Sequence, residues 1–148
     1  MDKISKKNKT MKIILKIKKL LQDYNLDAYI VPKNDEFFSE YAFPNRLKTV
    51  SNFTGSAGFC IITKSENYLF VDGRYLIQSK MESGKNFQIN EIPYKYPKDI
   101  LNNKIIKKIG YDPTLFTSSS LKTYFNFKFK LIPYKQNLID SVFREKKR

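Results

Sequence analysis

Three runs of four consecutive apolar residues constrain the fold of this chain more than any other feature of its sequence. Residues 28–31 form the first run, which ends at Pro32, and residues 59–62 and 68–71 form the other two on either side of a polar turn. Short apolar runs bounded by turn residues are typical of strands that are buried on both faces of a sheet. The first run is therefore predicted to be a central strand, and the other two to form a hairpin.

Helical patterns alternate with these strands along the chain. Apolar residues recur at helical spacing from residue 11 to 24, and helices are also predicted near residues 74–81, 97–103, 117–125 and from residue 137. A short helix capped by Asn34 is predicted after the first strand. Further strands are predicted at residues 87–92, 108–111 and 128–132. The expected fold class is α/β, with a mixed sheet of five or six strands flanked by helices.

The chemistry open to the chain is limited because it contains no histidine and only one cysteine, Cys60. Triads, general bases and zinc sites that use histidine are excluded. A single cysteine cannot form an internal disulfide, which indicates a reducing compartment. The sequence has no apolar run near the roughly 20 residues of a membrane span, and its lysine-rich start is unlike a secretory signal. We therefore expect a cytoplasmic protein without membrane contacts.

The net charge of +14 lies mainly at the two ends of the sequence. Residues 1–20 carry +7 and residues 101–148 carry +8, whereas residues 21–100 carry −1. A basic module that binds nucleic acid or another acidic partner is therefore an alternative function. A coding sequence rich in A and T would also explain the excess of lysine, because such codons specify Lys, Ile, Asn, Tyr and Phe. We therefore do not expect nucleic acid as the partner.

One aromatic and basic segment could stack nucleic-acid bases, although alternation in an edge strand explains it more simply. Its residues are Phe125, Phe127, Lys128, Phe129 and Lys130. The first helix, whose outer face is rich in lysine, could likewise lie on a membrane or in a partner's groove. A helix that covers the sheet with a solvated lysine face is the favoured interpretation, because strands follow it at once.

Two motifs are candidate binding sites. The loop from Gly55 through Ser56 to Gly58 could present N–H groups to an anion, although tight packing against the next strand explains its glycines better. Asp72 and Arg74 lie where a buried strand meets a helix, the position at which open α/β sheets bind ligands. Arg74 could hold a carboxylate, and an internal pair in which Asp72 caps the helix and binds Arg74 is an equal alternative.

Two other groups carry weaker signals. Glu36 and Glu40 are four residues apart, but nothing nearby completes a metal or acid–base site, and acids at the start of a helix explain them. Cys60 lies among apolar strand residues, which indicates a buried and inert thiol.

Several segments taken together resemble the creatinase/prolidase N-terminal domain family, most closely that of the cytoplasmic Xaa-Pro aminopeptidases. The segments are AYIVP at 28–32, SEY at 39–41, VSNFTGSAG at 50–58, VDGRY at 71–75 with Gln78, IGYDP at 109–113 and NLID at 137–140. Their order and spacing fit from about residue 12 to residue 144. Asn52 departs from the pattern, because relatives usually carry glycine there.

The resemblance implies a mixed sheet with flanking helices, in agreement with the periodicity. It also implies that cleavage belongs to a separate C-terminal pita-bread domain, in which carboxylates and histidines bind two divalent metal ions, typically manganese. This chain would then hold neither a metal nor a catalytic residue. The expected function is a non-catalytic N-terminal domain that forms interfaces and restricts access to peptides with proline in second position.

The resemblance also indicates partners, boundaries and site residues. Expected partners are a separately encoded catalytic domain and further copies of the chain, and a split gene, a remnant and a trimmed fragment all remain open. Residues 1–10 are expected to be a basic tail, 11–137 the domain, and 138–148 the truncated start of an interdomain connector. The residues expected on the substrate side or at an interface are Tyr41, Phe53, Gly55, Ser56, Asp72, Arg74 and Tyr75.

Overall fold

The structure is a computed structural model that describes residues 3–33 and 45–147, with side chains for residues 9–33 and 45–142. The helices described are α1 (Lys3–Asp23), α2 (Arg46–Ser51), α3 (Leu76–Ser83), α4 (Pro97–Ile100), α5 (Ser118–Tyr124) and α6 (Leu138–Lys147). The strands are β1 (Ala28–Pro32), β2 (Phe59–Thr63), β3 (Asn67–Asp72), β4 (Gln88–Ile92), β5 (Lys108–Tyr111) and β6 (Lys130–Pro133). The predicted helix capped by Asn34, and with it Glu36 and Glu40, lies outside the described residues.

The six strands form one mixed sheet in the order β4-β3-β2-β1-β5-β6. Strand β2 runs antiparallel to both β1 and β3, whereas β1 with β5, β5 with β6, and β3 with β4 are parallel pairs. Every strand except β2 therefore points the same way. We call the end at which these five strands finish the carboxyl edge, and the opposite end the amino edge. The predicted α/β class, the central first strand and the hairpin are confirmed.

Helices cover both faces of the sheet because residues of the central strands alternate between two apolar cores. Tyr29 and Val31 of β1 pack on the side of α1, α2, α3 and α6, and Ala28 and Ile30 pack on the side of α4 and α5. All five residues of β1 are buried, as the continuous apolar run predicts. Among the described residues, no helix has the length and apolar character needed to cross a membrane.

Helix α1 confirms the predicted amphipathic pattern and is longer than the sequence suggests. Ile14, Ile17 and Leu21 are fully buried against the sheet, while Lys12 and Lys16 face solvent. The helix begins at residue 3, so residues 3–10, expected to form a tail, continue it.

Helix α6 packs against the domain through its first turns. Leu138, Ile139 and Val142 are buried in the same core as α1. Arg46 of α2 holds Asp140 of α6 through two hydrogen bonds, from Nε to Oδ1 at 2.9 Å and from Nη2 to Oδ2 at 3.0 Å. Residues 138–142 thus contribute to the core, and the division into tail, domain and connector stays a prediction.

Residues 125–129 form a turn, so the prediction that their alternation reflects an edge strand is wrong. Strand β6 begins only at Lys130. Phe125 and Phe129 are 3% and 6% exposed, whereas Phe127 is 92% exposed. The rings of Phe125 and Phe129 point inward because they pack in the core that α5 and the sheet share. Their alternation with Phe127 therefore does not come from pairing with a neighbouring strand.

Candidate functional site

Two segments meet at the carboxyl edge and contain most of the predicted site residues. We call the first the rim loop (residues 52–58), which connects α2 to β2, and the second the strand-end turn (residues 72–75), which connects β3 to α3. The Ser56 and Tyr75 hydroxyls form a hydrogen bond between the two segments. The structure therefore brings together Phe53, Gly55, Ser56, Asp72, Arg74 and Tyr75. Tyr41 lies outside the described residues.

The rim loop begins where α2 ends in a left-handed residue. Asn52 has φ 67°, and its N–H donates to the Lys48 carbonyl at 2.9 Å. Glycine and asparagine adopt this conformation more readily than other residues, so asparagine fits this turn. The departure from the family's usual glycine is therefore compatible with the loop.

A buried phenyl ring fixes the shape of the rim loop. Phe53 is only 1% exposed and meets the Tyr75 ring edge-on, with ring centroids 5.9 Å apart. A Cβ on Gly55 would lie 2.2 Å from the tip of the Phe53 ring, and Gly58 has φ +149° with its backbone close to Phe70. Tight packing is therefore the reason for both glycines, as the favoured interpretation predicted. Phe53 packs inside the loop and supports its shape, and its ring has almost no exposed surface that a ligand could contact.

The loop is also tied to α3 by a polar network that the sequence did not predict. The Thr54 N–H donates to Glu82 Oε1 at 2.9 Å, and the Thr54 hydroxyl donates to Glu82 Oε2 at 2.7 Å. Gln78 Nε2 donates to the Thr54 hydroxyl at 2.8 Å. Gln78 stands in the motif that carries the family resemblance, which is the one signal that pointed to this network.

Asp72 caps the strand-end turn and holds Arg74 at the same time. Asp72 Oδ1 accepts the Arg74 backbone N–H at 2.9 Å and its Nε at 3.2 Å. The backbone hydrogen bond, assisted by the guanidinium, lowers the pKa of Asp72 below its usual value. The internal pair is confirmed. The Arg74 side chain nevertheless stays 72% exposed, so its guanidinium is accessible to a ligand.

Two exposed apolar side chains of α3 lie next to Arg74, which precedes the helix. Ile77 is 76% exposed and Met81 is 74% exposed, and the two residues lie one helical turn apart. Arg74 precedes Ile77 by three residues, so the cation lies at one end of this apolar pair. We call Arg74, Ile77 and Met81 the α3 face. Adjacent exposed apolar side chains beside a charge are typical of interaction surfaces.

A small pocket of about 180 Å³ lies beside the rim loop, between the end of β1 and the start of α5. Its walls include Pro32, Gly58, Phe59 and Tyr124. The hydroxyls of Thr117 and Ser120, which also line it, are already engaged in capping α5. Its lining is about as polar as it is apolar, so the pocket does not single out one class of ligand.

The described residues contain no set of side chains suited to a metal ion. Among the parts of the chain with described side chains, no three or more Cys, Asp or Glu residues cluster closely enough to bind one. Cys60 is completely buried in β2, and burial raises the pKa of its thiol. The prediction of a buried thiol is confirmed.

Comparison with known families identifies the fold. The creatinase/prolidase N-terminal domain family matches residues 14–141, which is most of the chain. The chain belongs to this family. The rim loop and the strand-end turn both lie within the matched residues and are thus parts of a creatinase/prolidase N-terminal domain.

Curated relatives of this domain are much longer than the chain. The probable Xaa-Pro aminopeptidase P of Laccaria bicolor is 33% identical over 147 residues, which cover 92% of this chain and 23% of that protein. The probable Xaa-Pro aminopeptidase P of Coprinopsis cinerea is 32% identical over 146 residues, which cover 90% of this chain and 23% of that protein. The chain therefore spans about a quarter of the length of these relatives.

Solved structures show the same fold. The X-prolyl aminopeptidase of Caenorhabditis elegans, described as a cytosolic enzyme with a di-nuclear active site, superposes with a TM-score of 0.74 at 23% identity, covering 94% of this chain and 26% of that one. An N-terminal creatinase/prolidase-like domain of a Corynebacterium diphtheriae metallopeptidase superposes with a TM-score of 0.64 at 20% identity, covering 84% and 95%. The second match spans nearly all of a chain that is itself an N-terminal domain.

Proposed function

We propose that this chain acts as the non-catalytic N-terminal domain of an Xaa-Pro aminopeptidase-like metallopeptidase. In this role it forms an interface with a catalytic domain and narrows the access of substrate, so that peptides with proline in second position reach the site. The observation that carries the proposal is the α3 face, in which an exposed cation at the carboxyl edge adjoins uncovered apolar side chains of α3. The length of the relatives, about four times that of the matched region, supports it.

The chemistry of the α3 face indicates what the partner surface must offer. Burying Ile77 and Met81 would contribute roughly 1.5–3 kcal/mol for each side chain, as for other large apolar groups. The Arg74 guanidinium, fixed at Nε by Asp72, would accept a carboxylate of the partner or of the peptide substrate. A partner with an apolar patch beside an acidic group would fit this face.

Hydrolysis itself is assigned to the partner. The family resemblance implies two divalent ions, typically manganese, and the Caenorhabditis elegans relative is described as di-nuclear. Such ions activate water and polarise a carbonyl. This sequence has no histidine, and its described residues offer no donor set for the ions, so we derive no step of the reaction from this chain. We place the complex in the cytoplasm because the Caenorhabditis elegans relative is described as a cytosolic enzyme.

The proposal is tested by producing the chain together with a histidine-containing pita-bread domain from the same organism. Native mass spectrometry should show a complex between the two proteins. If copies of the chain also bind one another, a homo-oligomer should appear in the same spectrum. The double variant Ile77→Glu/Met81→Glu should abolish the complex, because it places charge in the apolar contact, without lowering the melting temperature of the free chain.

The matched control is Ile105→Glu, since Ile105 is 69% exposed near the amino edge. This variant should assemble as well as the unchanged chain. Assembly that survives the double variant, or that is lost equally with Ile105→Glu, would show that the α3 face is not the interface.

A further inference from the structure

The amino edge, at the opposite ends of the strands from Arg74, carries a surface that the proposed function does not use. We call it the Phe127 surface and define it as Lys104, Lys107, Lys108, Phe127, Lys128 and Lys130. It is built from the ends of two parallel strands, because Lys108 begins β5 and Lys130 begins β6. The Lys130 N–H donates to the Lys107 carbonyl at 2.7 Å, which joins the two lysine segments directly.

A hydrogen-bonded turn places the Phe127 ring in solvent. Asn126 organises this turn, since its side-chain oxygen accepts the Lys128 N–H at 3.0 Å and its carbonyl accepts the Phe129 N–H at 3.3 Å. The rings of Phe125 and Phe129 meet edge-on in the core with centroids 5.8 Å apart. The turn is anchored on both sides by these buried rings, and Phe127 between them is 92% exposed. A whole face of the Phe127 ring is therefore free for contact.

The lysines of this surface lack anionic partners within the described part of the chain. The two ion pairs found there, Arg46 with Asp140 and Arg74 with Asp72, involve none of them. Asp27, which lies beside Lys107 and Lys108, accepts their backbone N–H groups at 2.9 Å each through Oδ2. Lys108 and Lys130 are directly paired in register on neighbouring parallel strands, so their side chains leave the same face of the sheet. The two cations can therefore face one external polyanion.

Composition alone gave no reason to expect nucleic acid, but the exposed Phe127 ring among unpaired lysines changes that expectation. We propose that the Phe127 surface binds single-stranded nucleic acid without reading its sequence. The lysine ammonium groups would contact successive phosphates, and one unstacked base would lie on the Phe127 ring. An acidic protein would satisfy the lysines but would leave the phenyl face without a stacking partner, so the exposed ring favours nucleic acid. This surface is independent of the α3 face.

The test uses a fluorescein-labelled oligothymidylate of about 15 nucleotides, with binding followed by anisotropy at several salt concentrations. The whole chain should bind at low salt. Phe127→Ala should weaken binding at least about fivefold through loss of stacking, with the salt slope unchanged. Lys128→Gln/Lys130→Gln should lower the slope of log K against log salt by about 1.4, since each phosphate contact on a single strand contributes about 0.7.

The matched control removes the same charge elsewhere, with Lys12→Gln/Lys16→Gln on the exposed side of α1. It should change the affinity by less than about twofold, because long-range charge alone contributes little at moderate salt. The proposal is overturned if no binding occurs at low salt, if Phe127→Ala binds as well as the unchanged chain, or if the α1 variant loses as much. Equal binding of poly-glutamate with the same dependence on Phe127 would instead identify an acidic protein as the partner.

Discussion

At the scale of single residues, Asn52 shows how one backbone conformation limits the choice of side chain. Its φ of 67° lies in the left-handed region, where a Cβ costs about 1–2 kcal/mol in most residues. The sequence marked Asn52 only as a departure from the family's glycine. The fold supplies the physical reason, because both residues tolerate the conformation that ends α2.

Substitutions at Asn52 should follow this conformational preference. We expect Asn52→Gly to leave the free energy of unfolding nearly unchanged, and Asn52→Ala to be about 1 kcal/mol less stable than Asn52→Gly. Urea denaturation of both variants measures the difference. Equal stability of the alanine and glycine variants would mean that the left-handed turn is not maintained in solution.

Burial of Cys60 gives a pH-dependent contribution to stability. Its pKa is raised by loss of hydration, so the native thiol stays protonated while the unfolded thiol ionises near pH 8.5. Stability from this group is therefore fully present below that pH and is lost as the pH rises above it, by up to about 1.4 kcal/mol per pH unit.

The measurement compares unfolding of the unchanged chain and of Cys60→Ala between about pH 7 and 10. The two stabilities should converge as the pH rises, and a thiol reagent should modify Cys60 only after urea is added. A constant difference between the two proteins, or rapid labelling of the folded chain, would contradict the buried thiol.

At the scale of elements, apolar patterning predicted β1 and β2 well because every residue of these two strands is buried. Helix α2 was not predicted, since it spans only Arg46–Ser51 and offers just two apolar contacts, Leu47 and Val50. Its clearest local signal is Asn45, whose side chain caps Lys48 N–H at 3.1 Å. The turn at residues 125–129 was misread because alternation alone cannot separate a strand from a turn whose outer rings are buried.

Helix α6 is held to the domain by interactions from distant segments. Its Asp140 pairs with Arg46, and the buried Asp112 carboxylate accepts Asn137 Nδ2 at 3.0 Å just before the helix begins. The Arg46 side chain is 13% exposed and Asp140 is 34% exposed, so water screens this pair only partly. These contacts fix the direction in which α6 leaves the sheet.

A double-mutant cycle on Arg46→Ala and Asp140→Ala should give a coupling free energy of about 1 kcal/mol. The reason is the two-point, half-buried contact between the guanidinium and the carboxylate. The exposed pair of Asp72 and Arg74 serves as the control and should show a smaller coupling. No measurable coupling between Arg46 and Asp140 in urea denaturation would mean that they do not anchor α6.

At the scale of the whole molecule, the sheet separates two surfaces of different character. The carboxyl edge carries the rim loop and the strand-end turn, from which the α3 face begins, and the amino edge carries the Phe127 surface. The sequence marked Asp72 and Arg74 as candidate site residues because they follow a buried strand, and the structure places them at the end of β3. It could not predict how the rim loop closes on them, because the bond from Ser56 to Tyr75 and the bonds from Thr54 to Glu82 join residues far apart in sequence.

The most direct test of the central claim is a peptidase assay on the purified chain. The chain would be incubated with Mn²⁺ and a tripeptide that has proline in second position, and release of the first amino acid would be followed by mass spectrometry. If the chain is a non-catalytic domain, we expect no release of the amino acid by the chain alone. We expect release once a histidine-containing pita-bread domain is added. Release by the chain alone, abolished by a chelator, would contradict the assignment of hydrolysis to a partner domain.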